Sequence, residues 1–147
     1  YYYVREDNIS LYGFTTNEEL RMFELLLSVS GIGAKSAITM LSAISPSEFA
    51  ISVISNDTSK LTKVPGIGNK TAARIILELK DKLKTEQAIE KDEKTEEVVS
   101  KQEINEEALA ALQVLGYNKK EVEKILEKFD SSKMTVEEII KAALSYF

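Results

Sequence analysis

The chain has 147 residues, enough for one ordinary domain or two or three small ones, and its 44% apolar and 29% charged content argues against wholesale disorder. It contains neither Cys nor His, which excludes disulfides, thiolate metal sites and the usual general base, so hydrolytic or metalloenzyme chemistry is a poor fit. No apolar run approaches the ~18 residues needed to cross a bilayer, and the net charge of −5 is misleading until divided: residues 1–28 carry net −3, residues 29–85 net +4 and residues 86–147 net −6.

In chain order, YYYVREDNISLYGF (1–14) alternates bulky and polar residues around Glu-Asp-Asn and reads as a β-hairpin. A lone hairpin is marginal in water, so these strands are expected to belong to a larger sheet, a mobile arm being the alternative. TTNEELRMFELLLSV predicts an amphipathic helix from Thr16 or Asn17, with Leu20, Phe23, Leu26 and Leu27 inward. KSAITMLSAI continues as helix, and Ser45-Pro46-Ser47-Glu48 opens another that Asn56-Asp57 closes. A longer helix is expected from Asn69 to about Lys84, with Ala73, Ile76, Leu77 and Leu79–Leu83 as its buried stripe. Residues 86–104 are nearly all charged or polar and read as a flexible acidic linker, or as a solvated extension of the preceding helix. Three short helices then fill residues 105–147, punctuated by Gly116, Asn118 and Thr135, and make a minimal bundle.

The positive segment contains a repeat. VSGIGAKSA (29–37) returns thirty-five residues later as VPGIGNKTA (64–72), which reads as internal duplication of one supersecondary unit. In each copy the first glycine, Gly31 or Gly66, permits backbone angles that a side chain forbids, and the second, Gly33 or Gly68, lets the backbone approach a ligand. Ile32 and Ile67 are expected to pin the loops to the core. The helix that follows opens with free N–H groups at Ala34-Lys35-Ser36 or Asn69-Lys70-Thr71, and Lys35 or Lys70 adds positive charge: a phosphate site in each copy. Nothing in this arrangement touches base edges, so binding should be sequence-independent and salt-dependent.

The two copies resemble helix-hairpin-helix motifs, and the tandem pair resembles a tandem helix-hairpin-helix DNA-binding domain. A P-loop is excluded, because Gly66-Ile67-Gly68-Asn69-Lys70-Thr71 has the wrong spacing. A DNA glycosylase is excluded too, since Ala88 stands where that superfamily has its catalytic Asp. With the leading YYYVREDNISLYGF, the trailing RIILELKDKL, the acidic linker and EALAALQVLGYNKKEVEKILEK, essentially the whole chain is similar to the RuvA family, which recognises Holliday junctions in bacterial branch migration.

That resemblance implies a mainly α fold in four parts. Residues 1–15 are the last strands of an OB-fold barrel most of which the sequence lacks, the chain opening on Tyr1 rather than Met; residues 16–85 are the tandem motif domain; residues 86–104 are the linker; residues 105–147 are a UBA-like three-helix bundle that binds the motor. It further implies a cytoplasmic, non-catalytic homotetramer that grips four-way junctions without cofactor or metal and recruits the hexameric ATPase RuvB, with the RuvC resolvase as a further partner. Loss of the barrel would put the tetramer in doubt. Glu6 and Asp7 match the family's acidic pin, whose carboxylates repel phosphates near the crossover; the plainer alternative is two solvated turn charges. Leu112, Leu115 and Tyr117 match its motor-contact surface, though a small bundle needs apolar residues for its own core as well. Two other readings stay open: a generic helix-hairpin-helix duplex-binding module, and a protein-interaction scaffold acting through the C-terminal bundle.

Overall fold

A computed structural model describes residues 1–89, 102–128, 130–131 and 133–147. Strands β1 (Tyr2–Val4) and β2 (Ile9–Leu11) pair antiparallel, with Tyr2 opposite Leu11 and Val4 opposite Ile9. Arg5 and Asn8 exchange backbone hydrogen bonds across the turn, which leaves Glu6 and Asp7 at its tip. One face of the hairpin is anchored: Tyr12 and Phe14 stack on the fully buried Phe23 at 5.1 and 4.9 Å between ring centroids. On the other, Tyr2, Val4, Ile9 and Leu11 are 54–79% exposed, an apolar face that nothing among the described residues covers.

Eight helices follow among the described residues: α1 (Asn17–Leu27), α2 (Ala34–Ala43), α3 (Pro46–Ile54), α4 (Thr58–Thr62), α5 (Asn69–Ile89), α6 (Gln102–Val114), α7 (Lys119–Leu126) and α8 (Val136–Leu144). Their starts follow the capping chemistry of the sequence. Thr16 caps α1 by accepting from the Glu19 N–H, Asp57 caps α4, and Asn118 caps α7. Ser45 with Glu48 on α3, and Thr135 with Glu138 on α8, form reciprocal capping boxes. Gly116, at φ +84°, ends the α6 segment in the left-handed conformation that glycine tolerates.

Three expectations need correction. Helix α4 is an element that the sequence reading passed over, a single turn too short to show a period. The buried stripe of α5 is Ala72, Ile75, Ile76 and Leu79: Ile76 and Leu79 are buried as expected, but Ala72 and Ile75 take the places expected for Ala73 and Leu77, which face solvent, Leu77 at 62% exposure. Helix α5 also runs to Ile89 and α6 begins at Gln102, so helix enters both ends of the expected linker, whose remainder, 90–101, lies outside the described residues.

The organising element is α3. Ser47, Phe49, Ala50, Ser52 and Val53 are all buried, and the helix touches α1, α4, α5, α6 and α8. A helix that is apolar around most of its circumference stabilises the fold only when surrounded. Its two buried hydroxyls are satisfied locally, Ser52 donating to the Glu48 carbonyl at 2.8 Å and Ser47 sharing a bond with Ser45 at 3.2 Å. The buried residues of the tandem segment and of the C-terminal bundle form one continuous apolar cluster.

The Ser45–Glu48 box gives a stability prediction. Hydrogen bonds from the Ser45 N–H and hydroxyl hold the Glu48 carboxyl below its ordinary range. A depressed carboxyl contributes stability above its unfolded pKa that is lost as pH falls through the folded one. Ser45→Ala is expected to cost about 1 kcal/mol at pH 7, with the penalty shrinking below about pH 4.3. Urea unfolding of both proteins at the two pH values checks it.

Candidate nucleic-acid interface

The two repeat copies fold alike. In the first loop the Val29 N–H donates to Leu26 O and Ile32 N–H to Val29 O, both at 3.1 Å; in the second, Val64 donates to Leu61 O and Ile67 to Val64 O, again at 3.1 Å. Gly31 and Gly66 take φ of +83° and +85°, the region where an L side chain is strained. Ile32 and Ile67, next in each loop, are 7% and 5% exposed and hold the turns against the core.

The second glycines do not need the left-handed region, Gly33 being extended at φ −99° and Gly68 lying outside the positive-φ range, so their value does not lie in the backbone. A Cβ at Gly33 or Gly68 would meet nothing within 4 Å, and both face open space. From each the next helix starts, with Ala37 N–H donating to Gly33 O at 3.0 Å and Ala72 N–H to Gly68 O at 2.9 Å. The N–H groups of Ala34, Lys35 and Ser36, and of Asn69, Lys70 and Thr71, precede those first bonds and have no intrahelical partner.

These two helix starts differ in kind from five of the others. Helices α1, α3, α4, α7 and α8 each begin with a side-chain cap. At α2 and α5 the preceding residue is a glycine, which has no side chain, and neither first turn holds an acidic residue. Both therefore present uncompensated positive dipole ends to solvent. Lys35 and Lys70 are exposed beside them, Ser36 and Thr71 are half-buried, and Ala34 is buried, so only its main chain is on offer. The expected phosphate-site residues are thus gathered into two local clusters, one per copy.

Glu6 and Asp7 stand apart from those clusters, exposed at the hairpin tip. Leu112 and Leu115 are fully buried and Tyr117 is 5% exposed. The Tyr117 hydroxyl donates to Glu18 at 2.8 Å, its ring stacks 4.0 Å from Phe147, and the Arg21 guanidinium lies 4.1 Å above it while donating to Gly116 O at 2.8 Å. Burial, reinforced by the bond to the Glu18 carboxylate, pushes the Tyr117 hydroxyl well above the usual tyrosine range. These contacts join the C-terminal bundle to α1.

Sequence reading missed a strap across the first loop. On one face of α5, Glu78 accepts from the Ser30 N–H at 3.0 Å, Lys82 donates to Ser28 O at 3.0 Å, and Arg74 reaches Ser30 O at 3.5 Å. Their i, i+4, i+8 spacing was the available signal.

Two glycine-hinged loops, each opening an uncapped helix beside a lysine, define a tandem helix-hairpin-helix protein. Residues 23–81 match the family model described as SAM-like Helix-hairpin-helix tandem, and residues 103–146 match RuvA, C-terminal domain. The Holliday junction branch migration complex subunit RuvA of Acetivibrio thermocellus is 53% identical over 147 residues, covering 98% of this chain and 73% of the relative. Its counterpart from Ruminiclostridium cellulolyticum is 49% identical over 98% of this chain and 74% of the relative, and that of Clostridium tetani is 48% identical over 97% and 72%. The chain belongs to the RuvA family. Among the described residues no single helix is long and apolar enough to cross a membrane.

The glycines separate two roles that a stability measurement distinguishes. Gly66→Ala forces a side chain into the left-handed region and is expected to cost about 1 kcal/mol or more. Gly68→Ala adds a methyl to open space and should leave the thermal midpoint within about 2 °C of the parent.

Proposed function

We propose that this chain is the non-catalytic DNA-holding subunit of a branch migration complex, binding four-way junction DNA through phosphates and presenting a motor ATPase to it. The observation that carries this reading is the matched pair of uncapped helix starts at Gly33–Ser36 and Gly68–Thr71. Helix N–H groups, a favourable dipole end and a neighbouring ammonium make a phosphate-oxygen site. Two such sites related by duplication suit the two strands of one duplex, one clamp per strand across a minor groove. Since none of these groups addresses base edges, affinity follows phosphate geometry and ionic strength rather than sequence.

Glu6 and Asp7 suit the place where duplexes meet, because carboxylates at a hairpin tip repel phosphates and discourage an uninterrupted duplex from crossing. The exposed apolar face formed by Tyr2, Val4, Ile9 and Leu11 suits burial in a larger sheet, as a barrel and a tetramer built on it require. The RuvB ATPase that the resemblance implies is assigned to the C-terminal bundle, and the RuvC resolvase is a second candidate partner at the junction. Leu112, Leu115 and Tyr117 are the motor contacts that the resemblance implies, but Leu112 and Leu115 are fully buried in the core of this structure, so contact through them requires that face of the bundle to open. Tyr117 can make that contact only when its hydrogen bond to Glu18 opens and the Arg21 guanidinium leaves its ring.

Replacing Lys35 and Lys70 together by Ala should weaken binding to every DNA sequence by at least about tenfold and lower the slope of log affinity against log salt by about 2. Fluorescence anisotropy with four-way and linear DNA over a salt series measures both, and unchanged junction affinity in the double variant rejects the clamp assignment. Equal affinity of the parent chain for linear and four-way DNA would instead favour a generic duplex-binding module. A chain ending at Thr85 is expected to keep DNA binding but lose stimulation of the motor's ATP hydrolysis, and normal stimulation would remove the bundle from that role.

A further inference from the structure

Among the described residues, the strap from α5 to the first loop has no counterpart in the second, and that asymmetry is informative. Carried back by the repeat offset of thirty-five residues, Arg74, Glu78 and Lys82 correspond to Thr39, Ala43 and Ser47. Thr39 spends its hydroxyl on the Lys35 carbonyl of its own helix at 2.9 Å, Ala43 has no side-chain acceptor, and Ser47 is buried beside Ser45. The receiving residue differs as well. Ser30 corresponds to Pro65, which has no N–H to donate. The duplicated loops otherwise share their hydrogen bonds and their left-handed glycines. The copies diverge at the one amide that the second motif's helix holds.

We propose that Glu78 is a positioning residue for DNA binding: by accepting from the Ser30 N–H it fixes the first phosphate clamp from the helix whose N-terminus is the second clamp. This rests on the phosphate-clamp reading given above. Helix α5 then belongs to both sites at once, its first turn at Asn69–Thr71 and its middle against Ser28–Ser30. Lys82 completes the hold by capping the carbonyl of Ser28, at the end of a helix with no basic residue in its own last turn. With the loops tied, the separation of the clamps is set before DNA arrives, and binding does not have to order one loop relative to the other.

The placement gives an expectation opposite to that of simple electrostatics. A carboxylate one residue from the Gly31 turn repels phosphate, so its removal, if charge alone mattered, should tighten binding. Positioning predicts the reverse. In the full 147-residue chain, Glu78→Ala and Ser30→Pro should each weaken binding to a synthetic four-way junction by about tenfold, and combining them should weaken it little further, because both break one bond. Glu78→Gln keeps an acceptor oxygen and should restore binding to within about threefold of the parent. Anisotropy titrations with thermal midpoints recorded in parallel read all four proteins. Ser30→Pro places in the first loop the residue that the second already carries, so it tests the idea even if Glu78→Ala folds poorly.

Unchanged or tighter binding by folded Glu78→Ala or Ser30→Pro overturns the proposal. So does a loss in Glu78→Gln equal to that in Glu78→Ala. If either result comes while Lys35→Ala/Lys70→Ala still loses affinity, only the positioning role falls. If the lysine variant binds like the parent, the clamp reading falls and this inference with it.

Discussion

Everything at the proposed interface depends on one backbone conformation used twice. At Gly31 and Gly66 the chain passes through the left-handed region, which reverses its direction within a few residues and lets the following isoleucine drop into the core. With Ile32 and Ile67 buried, each loop is held from beneath, and the next helix starts at the surface with its amides outward. A side chain at either glycine would oppose the turn by steric strain. The exposed chemistry is therefore set by a buried constraint: a pinned isoleucine on one side of the turn and free amides on the other.

The second dependency is on α3, which the repeat does not contain. It lies between the copies in sequence and at the centre of the fold in space, where it joins the tandem segment to α6 and α8. Attaching the C-terminal bundle here buries Tyr117 against Glu18 and Arg21, groups that an isolated bundle would leave in water. Holding and motor recruitment, on the proposed reading, are coupled through a contact made of one phenol, one carboxylate and one guanidinium.

The sequence was most legible where chemistry is local. Thr16, Ser45, Asn118 and Thr135 announce helix starts because a short oxygen-bearing side chain satisfies a nearby amide, and the glycine loops are readable from their duplication alone. What was illegible is tertiary. Two places in the α5 stripe were illegible because Ala73 and Leu77 are as apolar as Ala72 and Ile75, and only packing chooses between them. The centrality of α3 and the docking of α6 depend on contacts between distant segments, which no local period encodes. Charge counting also treated all basic residues of the middle segment alike. Lys82 and Arg74 are directed at the first loop's carbonyls, while Lys35 and Lys70 have solvent around them.

The missing caps of α2 and α5 have a thermodynamic consequence. Five other helices carry their own capping side chains, so their first-turn amides need no anion from solution. The two glycine-led helices lack that internal partner, and any anion that occupies the position stabilises the folded state through linkage. On the clamp reading, occupancy and folding become one equilibrium, and the unfolding free energy of this protein is a function of the buffer anion as well as of temperature. Sulfate or phosphate in the solvent would then act as a weak substitute for the nucleic-acid backbone, and stabilities recorded in different salts would refer to different degrees of saturation.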